Sequence, residues 1–224
     1  MTVPWSAANV ADACLRLGVD YHCPAGVRPA VAGMRLAGPA LPVRHAGSVD
    51  VFLEAIGRAR PGDVLLVDNG ARRDEGCIGD LVTLEAERAG LAGIVIWGCH
   101  RDQREIEEIG LPIFSLGCSP SGPRGTDGRT ATIGEATIDG RPSVPGSLVI
   151  GDDDGVILIA ARDSTILDEA AAIRTVEEQQ AAAARGGRTL REQLAFDAYL
   201  VERDLDPSVT FRDHLKRVRG AIET

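Results

Sequence analysis

The chain has 224 residues, 44% of them hydrophobic and 25% charged, enough for one large domain, or one domain plus a helical appendage, without disulfide or metal staples. A net charge of −9 argues against nucleic acid as a partner. No apolar run approaches the length of a membrane span, which argues against a membrane protein.

Of the 24 basic residues only Lys216 is a lysine, and it sits in a polar tail with His214, Arg217 and Arg219. Schiff-base chemistry needs a desolvated lysine in a pocket, so it is poorly served here. Five cysteines without a CxxC spacing (Cys14, Cys23, Cys77, Cys99, Cys118) read as reduced thiols. With no basic-then-apolar leader pattern, the expected location is cytoplasmic.

Ser6 is expected to cap a helix running to about Leu17, with Val10, Ala13, Cys14 and Leu17 on one face. Met34 to Val43 reads as extended. Ser48 is expected to cap a short helix carrying Val51, Phe52, Ala55 and Ile56. The turn Pro61-Gly62-Asp63 feeds a buried strand, Val64 to Val67, and a Gly-rich loop from Asn69 to Gly79 leads into a helix from Asp80 to about Ala89. Gly93 to Trp97 is a second buried strand, Asp102 to Ile109 a short helix, and Pro112 to Leu116 a third strand. This order predicts parallel strands with short connections. From Thr130 onward, short alternating segments around Asp139-Gly140, Pro145-Gly146 and Asp152-Asp153-Asp154-Gly155 predict hairpins. Asp163 is expected to start a long helix to about Arg185, broken by Gly186-Gly187. A second helix then runs to about Glu202, and a short third follows Pro207. The expected division is an α/β core over 1–162 and a helical extension over 163–224. The Ala-rich stretch from Ala170 to Ala184 has few large apolar anchors, which suggests packing across a subunit boundary.

The chemistry is expected between Gly79 and Asp102. In a parallel sheet, ligands gather outside the carboxyl ends of the strands, where the segments 69–81 and 98–102 should meet. Asp80 and Asp102 can hold a hard divalent cation that keeps several waters. Gly76-Cys77-Ile78-Gly79 can offer backbone N–H groups to an anion at a helix N-terminus. Arg101 can clamp a carboxylate at two points. Alternatively, Asp80 is a plain helix cap and Arg101-Asp102 a surface pair. Cys99 and His100 adjoin the site, but neighbours on an extended strand point apart, which disfavours a nucleophile–base pair. Asp152-Asp153-Asp154-Gly155 lacks the alternating ligands of a calcium loop and reads as a turn.

Asp80, twenty residues, then Arg101-Asp102 reproduces a D-x20-R-D signature. With Pro61-Gly62-Asp63-Val64, Gly79-Asp80-Leu81, Gly98 to Asp102, Pro145-Gly146 and Asp152 to Val156, it resembles the regulator-of-ribonuclease-activity-A-like aldolase family over nearly the whole chain. The resemblance implies a fold like the swivelling phosphohistidine domain, a β/β/α core with C-terminal helices, in homotrimers or homohexamers. It implies a metal-dependent lyase acting on 4-hydroxy-2-oxo acids such as 4-hydroxy-4-methyl-2-oxoglutarate, or decarboxylating oxaloacetate, with Mg²⁺ or Mn²⁺ as cofactor. Asp102 would ligate the metal, and Asp80 would hold a water on it. Arg101 and the backbone N–H of Leu81, beside Gly79, would bind the pyruvyl end. Glu178 from a neighbouring subunit would complete the site, with Glu177 the adjacent candidate. The alternative implied by the family's name is a non-enzymatic protein regulating a ribonuclease. The loop Ser119 to Gly125 does not map onto the aldolases, and its place near the site would alter substrate choice.

Overall fold

A computed structural model describes residues 5–125, 130–160 and 164–218. In chain order the first elements are α1 (Ala7–Leu17), β1 (Tyr21–His22), β2 (Arg28–Pro29), β3 (Leu36–Arg44), α2 (Asp50–Ile56), β4 (Val64–Ile78), α3 (Asp80–Arg88), β5 (Gly93–His100), α4 (Gln103–Ile109) and β6 (Ile113–Ser115). Short strands follow: β7 (Thr132–Ile133), β8 (Ala136–Ile138), β9 (Arg141–Ser143), β10 (Leu148–Asp152) and β11 (Gly155–Ile159). Helices α5 (Ser164–Arg185), α6 (Leu190–Gln193), α7 (Phe196–Leu205) and α8 (Phe211–Val218) end the chain.

The protein is mixed α/β, with a central sheet in the order β1-β11-β10-β3-β4-β5-β6-β2, β7 pairing with β3. Strands β3, β4, β5 and β6 run parallel, β10 pairs antiparallel with β3, and β11 pairs antiparallel with β10. The two-residue alternation of a strand sorts its side chains to two faces. Leu65 and Val67 of β4 and Ile94 and Ile96 of β5 pack with Phe52 of α2, Val82 and Ala86 of α3, and Ile106 of α4. Val64, Leu66 and Val95 face the other way, onto Phe114, Ala136, Ile138, Val149 and Val156. Helices therefore cover one face of the parallel strands, and the short strands of the second half cover the other. The hairpin β8–β9 turns at Asp139-Gly140, where both residues have positive φ (48° and 78°).

The backbones of β3 and of the turn before β4 approach so closely that Gly38 has no room for a side chain. A methyl group there would overlap the Gly62 carbonyl oxygen and lie 3.2 Å from Val64 Cγ2. Neither backbone can yield without disturbing the β3–β4 pairing. Gly38→Ala is expected to destabilise the fold by roughly 1–3 kcal/mol, read as a lower urea midpoint at unchanged slope.

Several expectations need correction. The Gly-rich segment after Val67 is not a loop: β4 runs fifteen residues and stays paired with β5 through three register shifts. Ser48 does not cap α2; Val49 holds the N-cap position without a side-chain hydrogen bond, although Val51, Phe52, Ala55 and Ile56 are all buried as expected. The single helix expected after Gly187 is two, α6 and α7, separated at Ala195, whose φ is 47°. Asp163, expected to start the long helix, lies outside the described residues. Division at residue 162 would leave α1 in the core. Contacts instead form one unit from residues 20–162 and another from 1–19 with 163–224. The reason is local: α1 packs on α5, with Asn9 Nδ2 donating to Glu177 (2.7 Å) and Arg16 Nη1 to Glu169 (3.0 Å). Beyond Ile173, α5 has no buried residue.

Candidate functional site

Parallel strands β4 and β5 deliver their carboxyl ends to the same edge, and α3 and α4 start there. A cavity of about 610 Å³ opens at this edge. One wall comes from Gly76, Cys77 and Gly79 at the end of β4 with Asp80, Leu81 and Val82 at the start of α3, and Arg101 projects into it. The loop after β6 supplies Pro120 to Arg124, and the segment between β3 and α2 supplies Gly47, Ser48 and Val49. The expected neighbours Asp80, Leu81, Gly79 and Arg101 therefore do meet. The 47–49 wall is not among the expected site residues, but β3 ends at the same edge as β4, and that shared edge was the available signal.

Asp102 does not itself line the cavity; it is joined to two residues that do. Its Oδ2 accepts the backbone N–H of Asp80 (3.3 Å) and the Nε–H of Arg101 (3.2 Å). It thus sits at the N-terminus of α3, where unpaired N–H groups and the helix dipole favour negative charge. Asp102 also holds a left-handed backbone (φ 59°, ψ 48°), one of four described non-glycine residues with positive φ. Aspartate tolerates this conformation better than most residues. The Nη atoms of Arg101 donate to nothing among the described residues, so the planar edge of the guanidinium is free for a ligand. The backbone N–H of Leu81 is engaged, donating to Asp80 Oδ1 at 2.7 Å. The Gly76 N–H, expected to serve an anion, instead donates to the Ser121 carbonyl (2.7 Å) and ties the Pro- and Gly-rich loop to β4.

His100 and Cys99 face away from this chemistry. His100 is buried, with Nδ1 against Ser115 Oγ (2.8 Å) and Nε2 against Gln103 Oε1 (2.7 Å). Burial holds its pKa below the ordinary value. Cys99 packs in the core beside Val95 and Phe114, and burial pushes its thiol pKa up, against thiolate formation. His100→Ala would leave the Ser115 hydroxyl and the Gln103 amide without this partner. It is expected to cost roughly 1–3 kcal/mol in thermal or urea unfolding, while Cys99→Ala leaves catalysis unchanged.

Glu178, on α5, belongs to the other unit. It is exposed and paired with Arg174 one turn away (2.6 Å), whereas Glu177 is tied to Asn9. All five cysteines are free. Among the described residues, no three or more His, Cys, Asp or Glu side chains gather as a metal cluster, and no helix is long and apolar enough to cross a membrane. The oxygens on offer at the edge are Asp102 Oδ1, which accepts no hydrogen bond among the described residues, and the partly exposed carboxylate of Asp80. That donor set fits a hard cation held by few carboxylates and keeping much of its water, as Mg²⁺ or Mn²⁺ do, and not a thiolate or imidazole zinc site.

The model of the RraA-like family, described as Aldolase/RraA, matches residues 7–158. A Burkholderia multivorans protein named "Putative 4-hydroxy-4-methyl-2-oxoglutarate aldolase" is 33% identical over 133 residues, covering 58% of this chain and 79% of that one. Among solved structures, an uncharacterized protein from Pseudomonas syringae is 26% identical with a TM-score of 0.71, over 84% of this chain and 92% of that one. RraAS2 from Streptomyces coelicolor, described as an unusual member of the RNase ES inhibitor RraA protein family, is also 26% identical. Its TM-score is 0.65, over 80% of this chain and 91% of that one.

Proposed function

Since this chain belongs to the RraA-like family, we propose that it is a metal-dependent lyase. It cleaves a carbon–carbon bond beside a 2-oxo acid, as an aldolase for 4-hydroxy-2-oxo acids such as 4-hydroxy-4-methyl-2-oxoglutarate or as a decarboxylase for oxaloacetate. What carries the reading is the meeting of Arg101, with its guanidinium edge free, and the carboxylates of Asp80 and Asp102 at one cavity.

Asp102 would hold the cation, with Asp80 orienting a water beside it. Bound there, Mg²⁺ or Mn²⁺ supplies electrophilic pull on the 2-oxo group. Arg101 binds the adjacent carboxylate at two points. As the carbon–carbon bond breaks, the other fragment leaves as a carbonyl compound whose hydroxyl proton passes to water, or as carbon dioxide from oxaloacetate. The bond's electron pair passes into the 2-oxo group to give the enolate of pyruvate, which a proton from water converts to pyruvate, and the fixed guanidinium stabilises the enolate charge without reorganising. The Leu81 N–H joins the carboxylate once the Asp80 side chain turns from it. Glu178 of a neighbouring copy in a trimer or hexamer would complete the site. Its exposure and purely local ion pair leave it available for that role, unlike Glu177.

The test is pyruvate release from oxaloacetate and from 4-hydroxy-4-methyl-2-oxoglutarate with Mg²⁺, with Mn²⁺ and with EDTA. Release that needs the metal is expected, together with no borohydride-stable pyruvate adduct, because Lys216 is the chain's single lysine. A trapped adduct, or no release from either substrate with either metal, would sink the reading. Completion in trans has its own readout. Separately inactive Asp102→Ala and Glu178→Ala subunits, mixed and reassembled, are expected to recover part of the activity; recovery of none counts against a shared site.

A second reading is a protein-binding regulator. The net charge of −9 suits a basic partner, and the Streptomyces structure is described within a ribonuclease-inhibitor family. Tight, salt-sensitive binding of a ribonuclease by a chain that releases no pyruvate would favour it.

A further inference from the structure

Three glycines surround the side chain of Arg101 from root to tip. A methyl group built on Gly76 would lie 2.8 Å from Arg101 Cβ; one on Gly79 would lie 3.1 Å from Cγ and 2.9 Å from Nε; one on Gly122 would lie 2.7 Å from Nη1. None of the three has the positive φ that would itself call for glycine. They are glycines for space: at Gly76 Arg101 shares it with the His100 and Ser119 carbonyl oxygens (2.6 Å each), at Gly79 with the Asp102 carboxylate, and at Gly122 the arginine takes it alone. Two come from the end of β4 and one from the loop after β6. That loop is anchored on both sides of the arginine, by the Ser119 N–H to the His100 carbonyl (2.8 Å) and the Gly76 N–H to the Ser121 carbonyl (2.7 Å). Meanwhile Asp102 Oδ2 holds Nε.

We infer that Gly76, Gly79 and Gly122 form a slot that fixes Arg101 extended into the cavity, and that Gly122 is a positioning residue through which the 118–124 loop sets the strength of the substrate clamp. The slot gives the Pro- and Gly-rich loop a role that the family signature does not supply. An arginine loses rotamer freedom when it binds, and a side chain already confined loses less. The slot also points the free Nη edge at a fixed place, and a displacement of about 1 Å at such a clamp costs up to about a hundredfold in rate. The effect on turnover rests on Arg101 being the clamp proposed above; the seating itself does not.

The experiment uses Gly122→Ala, alone and with Arg101→Ala. Gly122→Ala is expected to lower kcat/KM for oxaloacetate by at least about tenfold. In the Arg101→Ala background the same change should have almost no effect, a non-additivity that a general loosening of the loop would not produce. If the single variant fails to fold, the double variant must fold, because the obstructed group has gone. A double variant that also fails overturns the inference. A ligand-free readout separates this from the function. The Arg101 Nε–H, identified in a ¹⁵N spectrum by its loss in Arg101→Lys, should exchange slowly in the wild type and fast in Gly122→Ala. Unchanged exchange overturns the inference whatever the kinetics show. If exchange responds but the wild type releases no pyruvate, the slot stands and the lyase reading falls.

Discussion

Asp102→Ala is expected to abolish metal-dependent pyruvate release at every Mg²⁺ or Mn²⁺ concentration, a fall of more than about a thousandfold, since a bound cation is worth several kcal/mol of transition-state stabilisation. Two effects must be kept apart. The carboxylate also receives the Asp80 N–H and the Arg101 Nε–H, and its residue holds a left-handed backbone. Alanine there costs roughly 1–2 kcal/mol of strain in addition to the lost ligand. Asp102→Asn tolerates the same backbone and keeps an oxygen for the two donors, while removing the charge. It should unfold near the wild-type temperature and still lose most metal affinity by calorimetry. Asp80→Asn should be milder than either, because an amide oxygen can still accept from a water. An Asp102→Ala protein turning over near the wild-type rate would put the site elsewhere.

Arg101→Ala is expected to fail in a different way. Metal binding by calorimetry should stay near wild type, while kcat falls and KM rises together, a loss of roughly 2–5 kcal/mol in kcat/KM. Arg101→Lys should recover little. An ammonium cannot reproduce the two-point contact of the free guanidinium edge, nor fill the slot along Gly79 and Gly122. If lysine restored most of the rate, a point charge would suffice and the planar clamp would be wrong.

How much of this was legible in the sequence follows from where the periodicity survives. Val64 to Val67 and Gly93 to Trp97 announce themselves as apolar runs between turn residues, and they are the centre of the sheet. Their carboxyl ends placed Asp80, Arg101 and Asp102 together, and the family signature led to the same residues. The continuation of β4 was hidden because its pairing slips: Arg72 stands opposite Gly98 and Gly76 opposite Cys99, so four residues of one strand answer one of the other. No two-residue alternation survives such slippage. The break before α7 rests on Ala195 with φ 47°, a conformation that alanine does not advertise. The glycines of 76–79 were visible, but their purpose was not. An anion cradle and a slot for a neighbouring arginine both ask for missing side chains, and only the geometry shows the second.

The outermost strands of the sheet, β1 and β2, are two residues long, and β2 is Arg28-Pro29. An edge that short offers an incoming strand almost no ladder to extend, and the proline removes one of the few N–H groups that remain. Strand addition at either margin of the sheet is therefore disfavoured. A lesion that lengthened β1 or replaced Pro29 would be the one to watch for fibrous aggregation.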